Sequence, residues 1–186
     1  GSFSRQFYNI GDTISNEDQN HPYNVCHSDG NYDTGSSFKF SDYSGNIILI
    51  SMNATWWPAC YEYISLMDEI IEFIDENEHV KFIVSLDNAE IEPTYYSCQE
   101  WGNFYSELGN YGNDPLILNG DPDHLIWNMF AGSTYSAYTL IDHNMVVRYK
   151  FDMPNLYDFQ YNYIPSLLDD LYGCTDPLAC NYDSNA

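Results

Sequence analysis

Basic residues are scarce in this chain. Five Lys and Arg stand against 28 Asp and Glu in 186 residues, a formal net charge of -23. So few cations cannot replace the counterion atmosphere of a nucleic-acid backbone, which excludes nucleic acid as a partner. An anionic membrane surface would repel the chain for the same reason. Long apolar runs are also lacking. The longest, Ile47–Ile50, is far short of the roughly 20 residues of a transmembrane helix, so no membrane insertion is expected. No phosphate-binding loop, dinucleotide fingerprint or G-x-S-x-G is present. The five histidines are dispersed, without the His/His or Cys/His spacing typical of zinc. The one local grouping with metal-ligand chemistry is His21, Cys26 and His27, which could take copper or zinc. Cysteine is sparse and odd in number: Cys26, Cys60, Cys98, Cys174 and Cys180. At least one thiol is therefore free or paired with another molecule.

What is present is core-forming material. The chain is 44% hydrophobic and 17% aromatic, which excludes a wholly disordered polymer. Its length suits one domain with a short appendage. Strong acidity fits a medium where salt or calcium screens self-repulsion. Gly1-Ser2 reads as a cloning scar, so a removed secretory signal and a longer natural chain are both expected.

Three regions are expected. Residues 1–36 are polar and read as an irregular arm with one short hairpin near Ser28–Tyr32. Residues 37–172 alternate strand and helix patterns. Asn46–Asn53 is a β-rich run, apolar on both faces at its start, as in a central strand. Pro58 suits the first turn of a helix. Cys60, Ile64, Met67, Ile71 and Ile74 then recur at helical spacing, which predicts one helix to about Glu76. Val80–Leu86 is a second strand. Ser97 is the expected N-cap of a helix ended by Gly109 and Gly112. Pro115–Leu118 (strand) and His124–Phe130 (helix) follow. Tyr138–Asp142 and Met145–Phe151 are strands around a His143-Asn144 turn. Leu156–Leu171 is a last helix, kinked or broken early by Pro165. This order predicts a layered α/β domain with a mixed sheet.

Phe38–Cys60 (FKFSDYSGNIILISMNATWWPAC) resembles the thioredoxin-like redoxin family, the TlpA-type thiol oxidoreductases and peroxiredoxins, which read "sl.dy.Gk.vll.fWAtWCppC" here. Gly11-Asp12 matches the family's opening Gly-Asp, Tyr138–Asp142 its "tfLID" strand, and Val146–Tyr149 the strand after it. The resemblance covers about residues 11–172. It implies an α/β, thioredoxin-like three-layer fold with a central mixed β-sheet flanked by helices.

It also locates the chemistry that has changed. Active members carry C-x-x-C at the start of the first helix, and the first Cys is the nucleophile, its thiolate favoured by the helix N-terminus and by exposure. The resemblance puts Trp57 there and keeps the second Cys as Cys60. The family's cis-proline falls at Ser136, where a cis bond would cost roughly 2.5–4 kcal/mol, so a trans bond is expected. Ser51 stands where thioredoxins carry a buried acid. Thr55 keeps a hydroxyl near the peroxidatic position of the peroxiredoxin branch. Cys98, on a strand-to-helix connection on the same side of the sheet, is open to three roles: a resolving partner, a bond to Cys26, or plain burial. Tyr61, Tyr63, Tyr95, Tyr96, Tyr135 and Tyr138 are expected near the groove this fold presents, a surface suited to protein or carbohydrate.

Gly173–Ala186 resembles a short "GCTDPxAxNYxxxA" repeat of secreted proteins. A Cys174–Cys180 disulfide is expected there, which favours an oxidising compartment. Asp176 and Asp183 offer hard oxygen ligands for Ca²⁺, and the alternative is a disulfide-tied linker with no ion. The main domain requires no cofactor. Two functions compete. One is a secreted, non-catalytic binding or structural module acting on a protein partner or on further domains of its own chain. The other is a thiol–disulfide oxidoreductase using Cys60, or one whose position 57 is natively Cys or selenocysteine, since a Trp codon is one base from either.

Overall fold

The computed structural model describes residues 7–87, 96–120 and 123–173. Seven strands form one mixed sheet in the order β2-β1-β5-β4-β3-β6-β7. They are β1 (Tyr23–His27), β2 (Ser37–Phe38), β3 (Ile47–Ala54), β4 (Val80–Asp87), β5 (Leu116–Asn119), β6 (Ala137–Ile141) and β7 (Val147–Asp152). The helices are α1 (Asn16–Gln19), α2 (Pro58–Leu66), α3 (Asp68–Asp75), α4 (Cys98–Glu107), α5 (Leu125–Phe130) and α6 (Ile164–Tyr172).

β3 is an interior strand, in which all eight residues are buried. It runs parallel to β4 from Ile47↔Val80 to Ala54↔Asp87 and antiparallel to β6 from Ile48↔Ile141 to Met52↔Ala137. Side chains alternate across the sheet. Ile47 and Leu49 face a core built with Ile64, Ile71, Trp101 and Leu167 from α2, α3, α4 and α6. Ile48, Ile50 and Met52 face a second core closed by Tyr8, Ile14, Phe40 and Phe130. A strand covered on both faces has no room for polar alternation, which is why its sequence reads as a continuous apolar run.

Three departures from the sequence reading have identifiable physical causes. The N-terminal stretch is not an irregular arm. It supplies β1, which pairs antiparallel with β5, and buries Tyr8, Ile14, Tyr23 and Val25. Sparse aromatic and β-branched residues carry the burial there, so average polarity misleads. The helix expected from Pro58 to Glu76 is divided at Met67. The break turns Asp68 inward, where its carboxylate accepts from Asn110 N at 2.6 Å and Asn113 Nδ2 at 2.8 Å. The last helix opens with a π-helical turn, Phe159–Tyr163, before α6. Pro165 has no N–H to donate one turn back, and the wider turn relieves its ring. The hairpin between β6 and β7 forms around His143-Asn144 as expected. Asp142 Oδ1 accepts from Asn144 N at 2.9 Å and Val146 N at 3.1 Å.

Candidate functional site

The carboxyl ends of β3 and β4 lie side by side at Ala54↔Asp87. In open α/β sheets this edge is where ligands bind. From Ala54 the chain passes through Thr55-Trp56-Trp57 into α2, with Trp57 as N-cap and Pro58 in the first turn. Trp57 contributes no side-chain cap, so the residue at the helix N-terminus carries an indole and not a thiol. Trp56 and Trp57 are 37% and 36% exposed, while Cys60 is 1% exposed.

Cys60 points back under the loop. Its N–H donates to Trp57 O at 3.0 Å, and its Sγ accepts from Ala54 N at 3.4 Å. Burial pushes the thiol up to about 11, against smaller opposing effects from the Ala54 N–H and a Ser136 hydrogen bond. Ser136 is fully buried, and its hydroxyl donates to Tyr138 Oη at 3.4 Å. Cys60 and Ser136 are thus neighbours, and Trp57 meets Cys60 through its backbone carbonyl. Ser51 lies below them, opposite Tyr138 on β6. Its hydroxyl donates to Asn53 Oδ1 at 3.2 Å, and Asn53 Nδ2 donates to Tyr105 Oη at 3.1 Å. These partners are neutral hydroxyls and an amide. Burial holds the Tyr105 and Tyr138 phenols well above their ordinary range. Thr55 is also buried.

Asp87 and His124 were not anticipated. Asp87 ends β4 and is 1% exposed. Tyr135 Oη donates to Asp87 Oδ2 at 2.6 Å, and His124 Nδ1 lies 3.0 Å from the same oxygen. Tyr135 in turn packs edge-on against Trp56, with centroids 5.5 Å apart. The sequence signal is a carboxylate directly after the apolar run Val80–Leu86.

Cys26 and Cys98 are joined by a disulfide, with Cα atoms 6.0 Å apart. This selects one of the roles left open for Cys98 and removes Cys26 as a metal ligand. His27 Nδ1 lies 2.7 Å from Pro115 O, and His21 packs on Tyr23. Among the described residues no group of three His, Cys, Asp or Glu could hold a metal ion. Cys60 is the free cysteine among them. The described tyrosines do not form one cluster, and Tyr135 packs on Trp56 and Trp127. Tyr61 and Tyr96 stack near the surface, whereas Tyr63 packs on the buried Tyr138. Tyr95, the Cys174–Cys180 pairing, and the Asp176 and Asp183 calcium ligands lie outside the described residues.

Comparison with solved structures places the architecture. A secreted Mycobacterium tuberculosis disulfide oxidoreductase homologous to E. coli DsbE superposes with a TM-score of 0.56 at 14% identity, covering 79% of this chain and 96% of that one. A putative protein disulfide isomerase from Bacteroides thetaiotaomicron gives 0.59 at 16% identity, covering 87% and 91%. A yeast mitochondrial 1-Cys peroxiredoxin gives 0.63 at 14% identity, covering 88% and 78%. The fold is thioredoxin-like. No family model and no curated protein matches the chain. Among the described residues no helix is long and apolar enough to cross a membrane.

Proposed function

We propose that this chain is a secreted thioredoxin-fold binding module whose redox position no longer carries thiol chemistry, acting on a protein partner or on other domains of its own chain. One observation carries the reading. The exposed position at the start of α2 is an indole, and the thiol that remains is buried and held protonated. A nucleophilic cysteine needs the opposite, exposure and a thiol pulled below about 8.5. Ser136 and Ser51 support the same reading, because they leave Cys60 beside neutral hydroxyls in place of the residues that shape a groove and relay a proton. A fold kept while its site changes is an ordinary route to a new role. The Cys26–Cys98 bond and the strong acidity support an oxidising, extracytoplasmic setting. The oxidoreductase alternative in the form that uses Cys60 requires a thiolate there, which this burial opposes.

The test is alkylation of native protein across pH, read at the Cys60 peptide by mass spectrometry. Cys60 is expected to stay unmodified at pH 7–9 until denaturant is added. Rapid native modification with an apparent pKa below about 8.5 would sink the module reading and make Cys60 a working residue.

A further inference from the structure

The surface above Cys60 is furnished with rings and acid. Trp56, Trp57, Tyr61 and Tyr96 are 36–39% exposed and, with Glu62, line a shallow hollow of about 340 Å³. The two indoles meet at 78° with centroids 5.9 Å apart. Tyr61 and Tyr96 lie within 20° of parallel at 6.1 Å. Rings set this way present walls, not the single flat platform on which a sugar ring stacks. The arrangement is held from behind, since Asp87 fixes Tyr135, and Tyr135 packs against Trp56.

Charge selects the occupant. Among the described residues Glu62 is the charged residue of the lining, and no Lys or Arg is part of it. The described cations lie elsewhere. Arg148 binds Asp142 and Asp170, Lys150 donates to Tyr8 O, Lys81 sits over Tyr43 near the start of β4, and Lys39 belongs to the turn before Phe40. The molecule as a whole carries -23, a field that concentrates cationic partners. We infer that this hollow receives a Lys or Arg side chain of a partner polypeptide. The cation lies against the faces of Trp57 and Tyr61, and Glu62 completes its coordination. This rests on the reading of the site as a binding surface and names the chemistry it would bind.

The full chain is titrated by calorimetry and tryptophan fluorescence. The probes are a Ser/Gly peptide carrying four arginines, the same peptide with citrulline at those positions, and a neutral β-1,4-linked oligosaccharide. The arginine peptide is expected to bind, and the citrulline peptide roughly tenfold or more weakly. Trp57→Ala and Tyr61→Ala should each weaken binding by roughly five- to thirtyfold. Trp57→Phe should retain part of it, and Glu62→Gln should weaken it. Glu76→Gln, at the far end of α3, should leave it unchanged. Equal binding of the citrulline peptide, indifference to Trp57→Ala, or binding of the oligosaccharide alone would overturn the inference. The alkylation of Cys60 reports separately on the module reading, so failure of one is distinguishable from failure of the other.

Discussion

The Cys26–Cys98 bond joins residues 72 apart, and its removal has a calculable effect. Loop closure over that separation takes about 4 kcal/mol of chain entropy from the unfolded ensemble at 25 °C. For a domain of this size each kcal/mol moves Tm by roughly 2–4 °C, so a Cys26→Ala/Cys98→Ala variant should melt roughly 8–16 °C below the parent. The double variant is preferable to a reductant because it changes these two cysteines alone. A structural consequence follows as well. Strand β1 is registered to β5 at Val25↔Leu118 and His27↔Ile117, with an irregularity between, and to β2 at Tyr23↔Phe38 and Asn24↔Ser37. Without the bond to α4, the β1 amides should exchange with solvent sooner than those of β3. Urea and thermal melts, with hydrogen exchange by mass spectrometry, measure both effects. A double variant melting within 2 °C of the parent (about 1 kcal/mol or less), with β1 exchange unchanged, would refute the account of this bond as the main tether of that edge.

Two further outcomes follow from the core. The Cys60 thiol is raised from 9.0 to about 11 by burial. An acid whose folded value is raised lends stability that is complete below its unfolded value and lost as pH rises through the folded one. Stability should therefore fall between pH 9 and 11, and the difference between wild type and Cys60→Ala in urea melts should shrink by roughly 2 kcal/mol over that window. A flat difference curve would mean an accessible thiol. Gly102 on α4 faces the buried His27 ring, where an added Cβ would sit 2.1 Å from the ring. Gly102→Ala should cost roughly 1–3 kcal/mol or more by overpacking, seen as a lower urea midpoint. A variant as stable as the parent would show that helix and ring can part without cost.

Much of the fold was legible because the strongest signals are local. The apolar run of β3 and the helical spacing of Cys60, Ile64, Ile71 and Ile74 each need one short window. Ser97 is a clear local signal too. Its hydroxyl accepts from Glu100 N at 3.2 Å and Glu100 returns the bond to Ser97 N at 2.8 Å, a capping box written within four residues. What was missed depends on partners distant in sequence. Asp68 breaks a helix because Asn110 and Asn113 await it, and β1 joins the sheet because β5 offers an edge. Asp87 belongs to the site because Tyr135 and His124 fold over it.

The same division holds for the function. Sequence by itself determined that the start of α2 carries an indole, that one cysteine follows three residues later, and that the chain is overwhelmingly acidic. These are matters of composition and adjacency. Only the tertiary structure decided what Cys60 is chemically. Ala54, Ser136, Tyr105 and Tyr138 come from separate elements to enclose it, and a thiol's acidity is set by the medium around it and not by its neighbours in the chain. The pairing of Cys26 with Cys98 was decided in the same way, by the packing of α4 against β1.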